Sequence, residues 1–181
     1  MNQRTDWNNA DLGALCDHIE QTHHRYLAEE LPQLKLFVDK VSRVHGGNHP
    51  SLHEVKEVFT RLLDELHTHV EHEKASLFPM VREFAAAEAG SAPASISEAI
   101  RRTQSEHESF EEALSNLRRL TDEYALPADY CGSYRAMLIG LEALEVDMRN
   151  HFRLVDKILF PQIAARCSLA EASAERVQRL R

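Results

Sequence analysis

The chain has 181 residues, 43% of them hydrophobic, and a formal net charge of −8. That length allows one domain with a real core or two very small ones, and the composition excludes a disordered chain. The acidic balance carries no Lys/Arg block and no apolar run approaches the roughly 20 residues that span a bilayer, so neither nucleic acid nor membrane is expected as a partner.

The opening stretch, MNQRTDWNNADL, lacks the apolar region of a signal peptide. Cys16, Cys131 and Cys167 are scattered and form no CxxC, so reduced thiols in a cytoplasm are expected. From about Asp11 to Val44 the apolar positions Leu12, Leu15, Ile19, Leu27, Leu31 and Leu34 recur at helical spacing. Pro32 is expected to kink or split that helix. HGGNHPS, residues 45–51, stops it and turns the chain. A second helix is predicted from about Leu52 to Ala87, with Val55, Val58, Phe59, Leu62, Leu66, Val70, Leu77 and Val81 as its stripe. EAGSAPAS, residues 88–95, reads as a loop. A third helix is predicted from about Ser95 to Tyr124, a turn over ALPADYCG, and a fourth helix from about Ser133 to Ala165. SLAE, residues 168–171, reads as a capping box that would open a short C-terminal helix. Nothing reads as a strand. Long helices joined by short loops predict an all-α, up-down-up-down four-helix bundle, a single domain over 1–181 with its bundle at about 12–165 and a tail at 166–181.

The chain also repeats itself. HVEHEKASLFP at 69–79 and HFRLVDKILFP at 151–161 share one frame, and a shift of 82 residues carries His69 onto His151. A shift of 83 carries His24 onto His107, Glu29 onto Glu112, Leu31 onto Leu114, Leu34 onto Leu117 and Asp39 onto Asp122. Two copies of a helical hairpin, each with one His per helix, would bring four histidines to one layer.

At about 100° per residue, His69 and Glu73 fall inside the apolar arc of the second helix. An ionised Glu in a core costs several kcal/mol unless it is paired or metal-bound. That cost is the strongest argument in the sequence for a cation. His107 shares its side with Ile100, Thr103, Phe110 and Leu114, and His151 lies with Leu141, Leu144, Met148 and Leu159. A lone core-facing His is more often a hydrogen-bonded structural residue than a ligand; four at repeat-related places beside a core Glu are not a lone His. His18, His53, His67 and His72 read as surface residues. Cys131 reads as a turn or packing thiol, with no base visibly beside it. Imidazole and carboxylate without thiolate suit iron, manganese or zinc, and the donors are enough for two carboxylate-bridged ions. A ferritin-like site would need Glu-x-x-His on two helices; Glu20-x-x-His23 is the one instance found.

HHRYLAEELPQL, VHGGNHP, HTHVEHEKASLFP, SEHESF, LTDEYALPADYCGSYRAM and LEALEVDMRNHFRLVDKILFP, in this order, resemble the hemerythrin-like di-iron domain of the repair-of-iron-centres proteins, from about residue 12 to 165. The resemblance implies a non-haem di-iron centre in a four-helix bundle. It also implies a role in nitrosative and oxidative stress: nitric oxide handling and restoring damaged iron–sulfur clusters, with iron–sulfur proteins as partners. By motif, the ligands fall on His24, His45, His69, Glu73, His107 and His151. His23 competes with His24, because it fits the apolar phase of the first helix at least as well. The family's second bridging Glu falls on Val155, which cannot bind metal. Oxygen-carrying hemerythrins place Asp five residues after His, the spacing of His151 and Asp156, so Asp156 is expected to take over the bridge. Repair proteins usually carry a small N-terminal domain with a cysteine motif; this sequence opens on the first helix and is expected to lack it.

Two other readings stand beside a cytoplasmic di-iron stress protein that binds nitric oxide or dioxygen or gives iron to clusters. One is an oxygen-binding or oxygen-sensing hemerythrin without a repair role, although Glu111 stands where oxygen carriers have a second His four residues after His107. The other is a metal-free helical interaction module.

Overall fold

The computed structural model describes residues 6–87 and 94–168, and the helix expected to open at 168–171 runs outside them. Among the described residues there are four long helices and no strand. The first spans 12–45: Leu12–Ile19, a wide π turn over Glu20–His24, then Arg25–His45. Asp11 caps its start, accepting a 3.0 Å hydrogen bond from the Ala14 N–H. The second comprises Ser51–His72, a π turn over Glu73–Leu77, and Phe78–Ala86. The third is Ala94–Leu120 without interruption. The fourth comprises Gly132–Leu154, a π turn over Val155–Leu159, and a last run over 160–168. No described helix is long and apolar enough to cross a membrane.

First packs on second and fourth, and third on second and fourth, which closes the up-down-up-down bundle. The approach of the first and fourth helices is close at Gly140, where an added Cβ would sit 2.7 Å from Leu34 Cδ1. Pro32 does not split the first helix, which is continuous from Arg25 to His45. Leu27, Leu31 and Leu34 are buried on both sides of the proline. Pro32 itself is exposed, so water can reach the carbonyl its ring leaves unpaired.

The helical period of the third helix continues through Leu117, Thr121 and Tyr124, all buried, yet the helix ends at Leu120. Asp122, Glu123 and Tyr124 have φ of 50°, 56° and 62°, the left-handed region that costs an L residue about 1 kcal/mol or more. Side chains hold them there. Tyr124 donates its O–H to Glu145 Oε2 at 2.7 Å, and Arg118 Nη1 reaches Glu123 at 2.8 Å. The helix expected to reach Tyr124 stops at Leu120, because that fixing network is tertiary.

The core has two parts. One runs from Leu27 and Leu66 through Phe110 to Met148 and Phe152. The other contains Leu12, Ile19, Leu77, Phe78, Ala99, Leu154 and Val155. Between them three helices have a gap in their buried apolar stripe, Ile19 to Leu27, Leu66 to Leu77 and Ala99 to Phe110, and on the fourth His151 stands on the stripe between Met148 and Val155. The histidines occupy that gap.

Candidate metal centre

Three of the four helices carry a π turn at this layer. In two of them the repeated Leu-Phe-Pro frame supplies a local cause. Pro79 and Pro161 have no N–H, and their rings crowd the carbonyl four residues back. Widening the preceding turn by one residue lets the Phe78 N–H reach Glu73 O and the Phe160 N–H reach Val155 O. The first helix has no such proline; its π turn closes from the Arg25 N–H to Glu20 O and leaves both His23 and His24 buried.

Ligand atoms of His69, Glu73, His107 and His151 lie within 4.8 Å of one another, all buried. His24 joins them, donating from Nε2 to Glu73 Oε2 at 2.8 Å. Glu73 is fully buried, with His69 Nε2 and His151 Nε2 each 3.6 Å from its oxygens. Burial would raise its carboxyl, but His151, His69 and His24 together outweigh that and hold it well below the usual carboxylate range. Burial likewise favours neutral His69, yet Glu73 and Glu106 overcome it and raise its value. Burial drives His151 the other way, well below the ordinary histidine value. The polypeptide alone leaves this layer poorly satisfied. Glu73 Oε1, His24 Nδ1 and both ring nitrogens of His151 are buried without a hydrogen-bond partner. Such orphans cost about 1–3 kcal/mol each, and a cation among them would take up the carboxylate and imidazole lone pairs. The donor set therefore fits a metal.

A second tier of carboxylates fixes the rings. His69 Nδ1 donates to Glu106 Oε2 at 2.8 Å, which leaves Nε2 facing inward. The His69 hydrogen bond, aided by Arg102, brings the Glu106 carboxyl down to about 2. His107 Nδ1 donates to Asp156 Oδ2 at 2.9 Å, and its Nε2 lies 3.3 Å from His69 Nε2. His23 Nδ1 donates to Asp147 Oδ1 at 2.8 Å. Such carboxylates set the tautomer and orientation of a ligating imidazole. Glu106 and Asp147 were not singled out from the sequence. A usable signal existed for Glu106, which precedes His107 and so lies about 100° round the third helix, towards the second.

Two of the expected ligands lie away from this group. His45 is not brought to the group. It ends the first helix, 21 residues after His24, on the order of 30 Å along the axis. There its Nε2 lies 3.2 Å from Cys131 Sγ and its ring 5.2 Å from that of Tyr134. Cys131 thus has the base beside it that the sequence did not reveal. Asp156 is not placed beside Glu73 either. The π turn begins at Val155 and re-phases only the residues after it, so Asp156 points to the third helix and clamps His107 from behind. Val155 is fully buried with the apolar cluster. Among the described residues, the inner layer therefore holds one carboxylate, Glu73.

His67 and His53 are exposed, as expected, while His18 is half-buried and stacks on Trp7 at 4.3 Å between ring centres. An open groove of about 570 Å³ between the second and third helices is lined by Asp64, Glu65, Thr68, Arg102 and Glu106, and so reaches the carboxylate that holds His69.

Residues 17–163 match the hemerythrin HHE cation binding domain. The chain is 34% identical over 160 residues to the iron-sulfur cluster repair protein YtfE of Enterobacter sp. (strain 638), a match covering 88% of this chain and 70% of that protein. It is 32% identical, over the same shares, to the iron-sulfur cluster repair proteins YtfE of Escherichia coli O139:H28 and Shigella boydii serotype 18.

Proposed function

Because the chain belongs to the hemerythrin HHE cation-binding family, we propose that it is a cytoplasmic non-haem di-iron protein of the nitrosative and oxidative stress response. Its task is to bind nitric oxide or dioxygen and to support repair of damaged iron–sulfur clusters. The observation that carries the reading is Glu73, a carboxylate with no exposure, ringed by imidazoles and left with an orphan oxygen. Glu73 would bridge two ions, with His69 and His107 towards one and His24 and His151 towards the other. Ferrous ions held by these residues would supply the binding of a diatomic ligand. Glu106 and Asp156 hold His69 and His107 so that their Nε2 lone pairs face the layer. Phe78, its ring centre 5.6 Å from that of His24, and Phe152, 4.4 Å from that of His107, line the layer with apolar surface. The repair role is supported by the relatives, which are iron-sulfur cluster repair proteins. Glu111, exposed on the third helix, offers no second histidine there, which disfavours a plain oxygen carrier.

After anaerobic iron loading, elemental analysis should find about two ions per chain, and less than about half an ion would sink the reading. Titrating the ferrous protein with nitric oxide should produce new visible absorbance; an unchanged spectrum would leave storage or structure in place of ligand binding.

Asp156 and Val155 give a paired prediction. Asp156→Asn weakens the clamp on His107 and should reduce iron affinity by about 10–100-fold, read as faster loss to a chelator. Val155→Glu places an acid one turn after His151 and should slow that loss. Iron retention unchanged in both variants would mean that Asp156 does not steady His107 and that Val155 does not face the centre.

A further inference from the structure

His23 is the one buried imidazole at this layer that the proposed ligand set does not use. A histidine adjacent to a ligand on a regular helix would point about 100° away from it. Here the π turn over Glu20–His24 brings both inward, and each is 5% exposed. The His23 ring is clamped as the rings of His69 and His107 are: Nδ1 is spent on a carboxylate of a neighbouring helix, Asp147, at 2.8 Å. Its unspent nitrogen is therefore Nε2, the nitrogen those two histidines direct inward. Its ring centre lies 5.8 Å from that of His151. The rings of His24, His69 and His107 lie 5.6, 5.7 and 5.3 Å from it. Imidazoles sharing an ion at about 2.1 Å metal–nitrogen distance have ring centres roughly 4.5–6 Å apart. The half of the centre nearest His151 is also the half that needs a donor, because Val155 supplies none.

We propose that His23, oriented by Asp147, is a fifth histidine ligand, serving the ion held by His24, His151 and Glu73 in place of the carboxylate missing at Val155. This rests on the di-iron reading above. Chemically it exchanges an anionic oxygen donor for a neutral nitrogen donor. The two ions become unlike, and the one nearest His151 keeps less negative charge around it.

The test is iron content and release to a chelator in the full chain, with wild type measured beside every variant. His23→Ala should retain its helical circular dichroism and drop from about two ions to about one per chain. Asp147→Asn should keep both ions but release one at least about tenfold faster. His23→Ala combined with Val155→Glu should return to about two, since the carboxylate replaces the lost donor. Wild-type iron content in His23→Ala, with an unchanged release rate, overturns the proposal. So does a lower melting temperature of the metal-free variant with iron retention intact, which marks His23–Asp147 as a structural pair. If wild type itself binds no iron, the di-iron reading fails and takes this proposal with it. If wild type binds two ions and His23→Ala does too, only the fifth-ligand assignment fails.

Discussion

Glu73→Ala is expected to reduce iron to below about half an ion per chain and to lower the melting temperature of the iron-loaded protein by about 10–20 °C. Each ion held at a free concentration near 100 times its dissociation constant stabilises the native state by about 2.7 kcal/mol. For a chain of this size each kcal/mol is about 2–4 °C. Removing the single inner carboxylate removes the bridge for both ions, so both contributions vanish together. The metal-free variant should also lose a few kcal/mol, because the cation-prone His69 keeps Glu106 but loses its buried partner. Elemental analysis and thermal unfolding with and without iron measure the two effects separately. Full iron content with an unchanged melting temperature would remove Glu73 from the centre.

Glu145→Ala should cost about 2–4 kcal/mol, or roughly 5–15 °C, and leave iron content untouched. Glu145 is fully buried. It accepts from Tyr124 Oη at 2.7 Å and Arg118 Nε at 3.0 Å, and pairs with Arg149 Nη2 at 2.6 Å. The arginines are partly solvated, which keeps the figure at the lower end for a buried pair. Burial pushes the Glu145 carboxyl up; the hydrogen bonds from Arg118 and Tyr124 and the charge of Arg149 outweigh it and hold the group below its ordinary value. A carboxyl depressed by folding stabilises the native state at every pH above its unfolded value. That contribution drains away as pH falls through the folded value. The stability difference between wild type and Glu145→Gln should thus be constant above about pH 5 and shrink below about pH 4. A gap that persists at lower pH would show that packing, not charge, carries it. Either variant should also free the left-handed turn at Asp122–Tyr124, seen as faster amide exchange there.

The four helices were legible because each carries a long apolar stripe at one period, and burial follows that stripe closely. His69, Glu73, His107 and His151 were legible for the same reason: their phase puts them in the stripe, and their chemistry does not belong there. The repeat added that His24, His69, His107 and His151 share a level. Glu106 and Asp147 were hidden because a half-exposed acid beside the stripe looks like any solvated face until the neighbouring helix is in place. His45 was drawn in by motif alone, and the length of an uninterrupted helix removes it.

By itself, the sequence determined that four amphipathic helices pair and that a buried Glu with histidines interrupts their core, since periodicity and the cost of burying charge are local properties of the chain. The tertiary structure decided which nitrogen each histidine presents, that both His23 and His24 enter the layer, and that Asp156 stands behind His107 instead of beside Glu73. Those outcomes turn on three π turns, each changing helical phase by a fraction of a turn. They turn also on carboxylates reaching across from adjacent helices, and a regular 3.6-residue period encodes neither.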